Sequence, residues 1–571
     1  MTLPPQPADW PPLTGAAATL APALLDWAAR DDRACPRVCL VTGGRATGKS
    51  HLLAWLVAGS DSHPATTVHA TVPARGHIAQ TLSWELGRQL GYGPIDPGRL
   101  LERVAADPRP LRIVIPDLHL AGRGTDDPPS AAPQRIVAEL LAPLLALPRV
   151  RAAVELDRPE LLQAVEPLLL ALPADAPAQP RPAPEAIEPP EPGAPGPGWR
   201  AATAATREGA LDLAVGAGTA SRLLADPDHL VHGSALAITA ALADRRIAAP
   251  RGLRATWAAA GPILSSGELS DPERAAVLHS AALATDPRLA EYLRPLAEQH
   301  VWTAQWSRAD LRTTGLAPAE RGLLIIDGAG RLGLYEPTDG TIIARITGNP
   351  RQRPTGLAVI GSGQALGVDP DGRIHLFAVP SAGTDEAPGE GALHQALGRH
   401  AAAVLTGAAA RVTAVASGNG SVAVGDAEGW FRLWPAGHPS FGAQRPHQVP
   451  ITAIACLGWP ETCNGLRLVF TGGADGTVRL WDSETGRSMP GAVERRNALP
   501  TALAAAHTAV GPVLAVAWSD RRLHLWRPAD GRSTAVPSVR DIDSLALSPE
   551  GLLVCGGPQG TGALRIDLAA L

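Results

Sequence analysis

Lysine is all but missing from this chain. Lysine and arginine together number 50 in 571 residues, and Lys49 is the sole lysine. GC-rich coding DNA produces such a bias by placing arginine wherever either cation serves. The one retained lysine therefore marks a position where a planar guanidinium is a poor substitute for a compact ammonium. Cysteine is sparse as well. The five (Cys35, Cys39, Cys456, Cys463 and Cys555) are scattered with no repeated CxxC spacing, which excludes a cysteine-built zinc site and a disulfide framework. Cys35 and Cys39 stand close enough to bridge, although a pair of buried thiols is the commoner arrangement. No charge dominates, since a formal net charge of −5 supplies neither a global basic field for nucleic acid nor an acidic tail. Arg, Asp or Pro interrupts every apolar run short of a bilayer's thickness. The opening MTLPPQPADWPPL lacks the basic start and apolar stretch of a secretory leader. No Ser-His-Asp, Cys-His or HExxH arrangement is present. The expectation is a cytoplasmic protein that engages no membrane, with no nucleic-acid partner indicated.

What is present falls into segments, as 571 residues exceed one hydrophobic core. After an N-terminal segment (1–36), residues 37–42 read as a short buried strand and the run HLLAWLVAG after Ser50 as a helix ending at Gly59. Strands are expected at 66–72, 111–115 and 150–156, with helices at 78–90 and about 131–147. Continuous apolar strands alternating with helices predict an α/β domain over 37–170, with a parallel sheet covered on both faces. Residues 173–198 hold ten prolines and read as an extended linker, taken as 171–198. A helical module is expected over 199–300. There Ser270 and Glu273 have capping-box spacing, and Asp226-Pro227 and Asp286-Pro287 place Pro at a first helical position.

From 301 to 571 the pattern is short strands with tight turns. GRLGLYE, GRIHLFA, GWFRLWP, GTVRLWD, RRLHLWR and GALRIDL recur, and their equivalent residues Leu334, Leu376, Leu433, Leu480, Leu525 and Ile566 stand 42, 57, 47, 45 and 41 residues apart. Four strands per unit at this period predict an all-β propeller of six blades, or seven if a degenerate one lies in the long gap at 381–407. The chain ends on a third strand, so residues 301–308 are expected to supply the missing outer strand and close the ring, removing exposed edges. Trp430, Trp434, Trp481 and Trp526 are expected to pack between blades. Asp371, Asp475 and Asp520 are expected to form turns.

The chemistry concentrates in Gly43-Gly44-Arg45-Ala46-Thr47-Gly48-Lys49-Ser50. Strand, GxxxxGKS and helix follow in the order a phosphate-binding P-loop requires. Its glycines let backbone N–H groups cradle phosphate oxygens at the positive end of the helix. Lys49 would neutralise the β- and γ-phosphates, and the Ser50 hydroxyl would ligate Mg²⁺. Asp117 follows the strand Ile113-Val114-Ile115-Pro116. His119 is expected to be a hydrogen-bonded structural residue.

These features resemble known families. Residues 447–482, with His447, Thr471, Asp475 and Trp481 in order, resemble a WD40 blade, and that likeness implies a hydrogen-bonded set within the blade. Residues 35–165 resemble the STAND class of AAA+-related P-loop NTPases, which join an ATPase to C-terminal repeat sensors. The likeness is carried by the glycine loop, by Pro116-Asp117-Leu118-His119, by Ala74-Arg75-Gly76, and by the strand from Val150 ending at Asp157-Arg158-Pro159. It implies ATP (or ADP) and Mg²⁺ as ligands. Asp117 either orients the attacking water, with Pro116 replacing the Mg²⁺-associated acid, or is itself the Mg²⁺ carboxylate. In both registers one carboxylate is missing, which slows hydrolysis more than binding. Arg158 either contacts the γ-phosphate or caps a strand end. For the adenine-side Gly-x-Pro motif, Val215–Ala220 is at best a worn counterpart.

The expectation is a slow ATPase or binding-only switch whose propeller engages a protein or peptide partner. With about 36 residues before the first strand, it would act through a separate effector or by self-assembly. Two alternatives stand beside it: a propeller scaffold with a structural nucleotide site, and an ATPase in transcription regulation, although no DNA-binding helix-turn-helix or basic strip is visible.

Overall fold

The computed structural model describes residues 12–30, 35–44, 46–60, 63–122, 132–157, 159–162, 166–173, 189–190, 198–267, 269–346, 354–360, 363–379, 390–418, 421–434, 441–458, 467–482 and 486–571. Chain contacts divide it into two compact units. One comprises residues 1–254 with 264–268, the other 255–263 with 269–571.

In the first unit, five parallel strands form one sheet. They are β1 (Val38–Gly43), β2 (Ala70–Thr71), β3 (Leu111–Ile115), β4 (Val150–Leu156) and β5 (Leu168–Leu172), in the order β2-β3-β4-β1-β5. β3 is buried along its whole length, and β4 at all but one residue, so apolar residues dominate both, with Arg112 in β3 and Arg151 and Glu155 in β4 as the charged exceptions. α1 (Gly15–Ala29) and α2 (Lys49–Ser60) share one core with the sheet, in which Leu24, Trp27, Leu52 and Leu56 meet Val41, Ala153 and Leu170. On a second core, α3 (Ala79–Leu90) and α4 (Pro97–Ala106) pack with the helical stretch 132–146, which contains a π turn at Val137–Leu141. The sequence pattern does not reveal α1, α4 or β5. α1 is alanine-rich and contains Pro22, so its apolar face has little contrast. β5 is the leucine run Leu168–Leu172, a strand because β1 offers it a free edge, with Cys39 opposite Leu168 and Gly43 opposite Leu172.

Short helices at Ala204–Gly216, Pro227–His232 and Ala235–Ala243 also belong to this unit. In the second unit lie Asp271–Ala282 and Pro287–Ala297. The expected caps form: Asp226, Ser270 and Asp286 accept hydrogen bonds from the amides of Asp228, Glu273 and Leu289.

Six antiparallel sheets follow as a six-bladed propeller. The strand Trp302–Arg308 pairs with Gly560–Ile566 and completes the last blade from the other end of the chain segment. The inner strand Thr313–Ala319 touches both Gly356–Ile360 and Ser544–Leu547, so the ring is closed. No seventh blade occurs among the described residues. Part of the 57-residue gap is instead a helix, Glu390–Leu405. Its Leu393 and Leu397 are buried against Val368, Val412 and Trp434, beside a blade with three strands among the described residues. His447 Nε2 lies 2.9 Å from Thr471 Oγ1 and its Nδ1 3.3 Å from Asp475 Oδ2, and Trp481 meets Phe431 edge-on. Trp434 and Trp481 are buried, and Trp430 is partly exposed beneath the Arg445 guanidinium. Among the described residues no helix is long and apolar enough to cross a membrane. Cys35, Cys39, Cys456 and Cys555 are free thiols; Cys463 lies outside the described residues.

Candidate functional site

The apolar run of β1 ends at Gly43, where the backbone turns so sharply that φ is +151°. A Cβ here would stand 2.8 Å from both the Leu172 carbonyl oxygen and Thr47 Oγ1, so only glycine fits. Ala46 (φ 62°) and Gly48 (φ 91°) also take left-handed conformations. The turn delivers the chain into α2, whose first amides and positive dipole end face the loop. Thr47 Oγ1 donates to the Gly44 carbonyl at 3.0 Å. Lys49 is 6% exposed. Its Nζ donates to the carbonyls of Gly43 (3.1 Å) and Gly44 (2.7 Å).

Gly43, Gly44, Ala46, Thr47, Gly48, Lys49 and Ser50 line a cavity of 590 Å³ together with His51, Arg75, Asp117, His119, Leu120, Glu155 and Asp157. Arg45 and Arg158, the other two candidates, lie outside the described residues.

Asp117 takes a left-handed conformation (φ 55°, ψ 32°) and opens the 3₁₀ turn Leu118–Leu120. Non-glycine residues held there store strain, which is commonest at ligand sites. Its Oδ2 stands 3.7 Å from Arg75 Nε. Arg75 is placed by the chain beyond β2, whose amides at Ala74 and Gly76 donate to the carbonyls of Pro116 and Leu120. His119 differs from expectation, since its Nδ1 is buried without a hydrogen-bond partner beside the cavity.

The carboxylate touching the lysine and serine is Glu155, which motif reading passed over. Ser50 Oγ donates to Glu155 Oε1 at 3.2 Å, and Lys49 Nζ lies 3.7 Å from the same oxygen. The reason is strand order. β4 is the immediate neighbour of β1, with Val41 opposite Glu155, whereas the end of β3 is two strands, about 10 Å, away. The available signal was an acid inside the otherwise buried run Ala152–Leu156, where an unpaired carboxylate is costly. Among the described residues no cluster of three or more His, Cys, Asp or Glu has metal-binding geometry. A Mg²⁺ ion needs no such cage when phosphates and water complete its shell.

No protein-family model matches this sequence, and no curated protein does. Among solved structures, the chain is similar to the computationally designed Ika8 protein at 17% identity, covering 44% of this chain and 70% of that one with a TM-score of 0.28. It is similar to a chain of the Mitotic Checkpoint Complex at 18% identity, covering 43% and 71%, with a TM-score of 0.29.

Proposed function

We propose that the chain is a STAND-like, ATP-binding switch, in which Mg²⁺ and ATP (or ADP) occupy the cavity around Lys49 and the propeller binds a protein or peptide partner. The observation carrying this reading is the only lysine of the chain, buried at the start of α2 and facing a 590 Å³ cavity across a glycine turn that no other residue fits. The volume lies within the range of small-ligand sites. Loop amides, Lys49 and the Ser50 hydroxyl are the donors and ligand that a nucleotide's phosphates and Mg²⁺ require. Catalytic power is modest in this reading. Pro116 stands where an acid would serve phosphoryl transfer, so turnover is slow and rises with partner binding. Asp117 orients water, and Arg158 reports the γ-phosphate. Closed propellers present rigid rims to protein ligands, and a separate effector or self-assembly would carry the output.

The alternative of a scaffold with a structural nucleotide site is favoured by the same Pro116. Equilibrium titration of Mg·ATP against the full chain and its Lys49→Ala variant tests the reading. Binding by wild type that the variant loses supports it, after which turnover with and without a partner separates switch from scaffold. Absence of ATP, GTP and ADP binding by wild type refutes it.

A further inference from the structure

We infer that Glu155 is the carboxylate through which this chain holds the nucleotide's divalent cation, supplying from β4 the group that Pro116 removes from the end of β3. The inference rests on the nucleotide-binding reading above. Glu155 is 2% exposed and lines the phosphate-side cavity. One oxygen, Oε1, is shared by Ser50 Oγ and the Lys49 ammonium. The other, Oε2, is buried with no hydrogen-bond partner among the described residues. Buried carboxylates are ordinarily saturated with donors, and an orphaned oxygen points to an ion or water that belongs there. Packing gives no reason for the acid, because its neighbours along β4, Ala153, Val154 and Leu156, are apolar and buried.

The contact with Ser50 locates the ion. A P-loop serine offers its hydroxyl to Mg²⁺, and Glu155 Oε1 is already within 3.2 Å of that hydroxyl. A cation on Ser50 Oγ therefore stands beside the Glu155 carboxylate, and serine, one carboxylate, phosphate oxygens and water make an ordinary Mg²⁺ shell. Charge makes the ion necessary. Lys49 is the only cation within 4 Å of Glu155 among the described residues. Phosphates draw that ammonium to themselves, and the buried carboxylate then faces phosphate oxygens of its own sign. A divalent ion between them converts repulsion into a bridge. Nucleotide and Mg²⁺ should thus bind as a strongly coupled pair, with Glu155 carrying the coupling.

The test uses ADP, so that no turnover intervenes, with the full-length protein titrated calorimetrically in excess EDTA and in saturating Mg²⁺. Wild type is expected to gain at least about tenfold in ADP affinity with Mg²⁺, a difference of about 1.4 kcal/mol. Glu155→Gln should lose most of that gain yet bind metal-free ADP at least as tightly as wild type, since a charge beside the phosphates is gone. Metal-free binding also reports that the variant is folded. Glu155→Asp, which keeps the charge, should retain a Mg²⁺ gain. A Glu155→Gln variant that keeps the full gain, or that loses ADP equally with and without Mg²⁺, overturns the inference, as does an Asp variant as deficient as the Gln one. Failure of wild type to bind ADP or ATP in either condition instead overturns the nucleotide reading itself.

Discussion

Replacing His279 by leucine should stabilise the second unit, and more at pH 5 than at pH 7. His279 lies in the helix Asp271–Ala282, which packs on the ring-closing strand Trp302–Arg308. It is 1% exposed, and neither ring nitrogen has a hydrogen-bond partner among the described residues. Removing an unsatisfied buried polar group while keeping volume is worth about 1–2 kcal/mol. Burial, aided by the Arg294 guanidinium, also pushes the imidazole from its ordinary value of 6.5 down to about 4. Between those two values the unfolded chain binds a proton that the folded one refuses, so stability is full above pH 6.5 and is lost as pH falls toward 4. At pH 5 the loss from this one residue is about 1–2 kcal/mol after allowance for solvent screening. His77, His229 and His400 are likewise lowered to about 4, mainly by burial, but they are common to both proteins and cancel in the difference. Scanning calorimetry of wild type and His279→Leu at pH 7 and pH 5 reads the effect. The transition of the second unit should rise by about 2–4 °C for each kcal/mol gained, and by roughly twice as much at pH 5. A fall in that transition, or an equal rise at both pH values, would refute the argument from unpaired burial.

Two further substitutions probe the glycine turn and the ring closure. Gly43→Ala places a methyl 2.8 Å from the Leu172 carbonyl and Thr47 Oγ1, so the loop must shift; nucleotide affinity should fall at least about tenfold in the titration used for Lys49→Ala, while the propeller transition stays in place. Trp306→Ala removes a buried indole that donates to the Pro337 carbonyl at 2.8 Å, which should cost about 4–5 kcal/mol. Limited proteolysis should then cut between the closing strand and the first blade, and protection equal to wild type would show that closure does not depend on that side chain.

Much of the architecture is legible where a local pattern suffices. β3 and β4 occupy residues 111–115 and 150–156 as the sequence predicts, because each is a mostly apolar run bounded by proline or charge. The propeller is visible as a period, and the unpaired third strand at the end foretells the pairing of Gly560–Ile566 with Trp302–Arg308. Low-contrast segments are opaque. The helix Glu390–Leu405 is alanine-rich and sits where the blade period calls for a strand, and Leu168–Leu172 has no alternation to mark it as one. The expected strand at 66–72 shrinks to Ala70–Thr71, since Pro64–Thr66 forms a 3₁₀ turn. Glu155 stayed hidden for a deeper reason. Its significance depends on β4 lying between β1 and β3, a non-local pairing that no spacing in the sequence encodes.

The same pairing bears on how the site would signal. A phosphate entering this cavity meets no idle cation among the described lining residues, because Lys49 is held by two loop carbonyls and Glu155, and Arg75 by Asp117. A ligand bound to either cation therefore competes with its carboxylate for the charge. Glu155 is inside the sheet, where the Ser50 hydroxyl is its remaining donor, and on the inference above an ion arriving with the ligand would satisfy it. Asp117 is strained and 23% exposed, and is tied through Pro116 and Leu120 to the segment carrying Arg75. Released from its partner, it has freedom to relax and to carry that segment with it. Ligand binding at such a site is an exchange of ion pairs, and its free energy is spent on rearrangement as well as affinity. On the proposed reading, that exchange is what would let the chain distinguish its loaded state from its empty one.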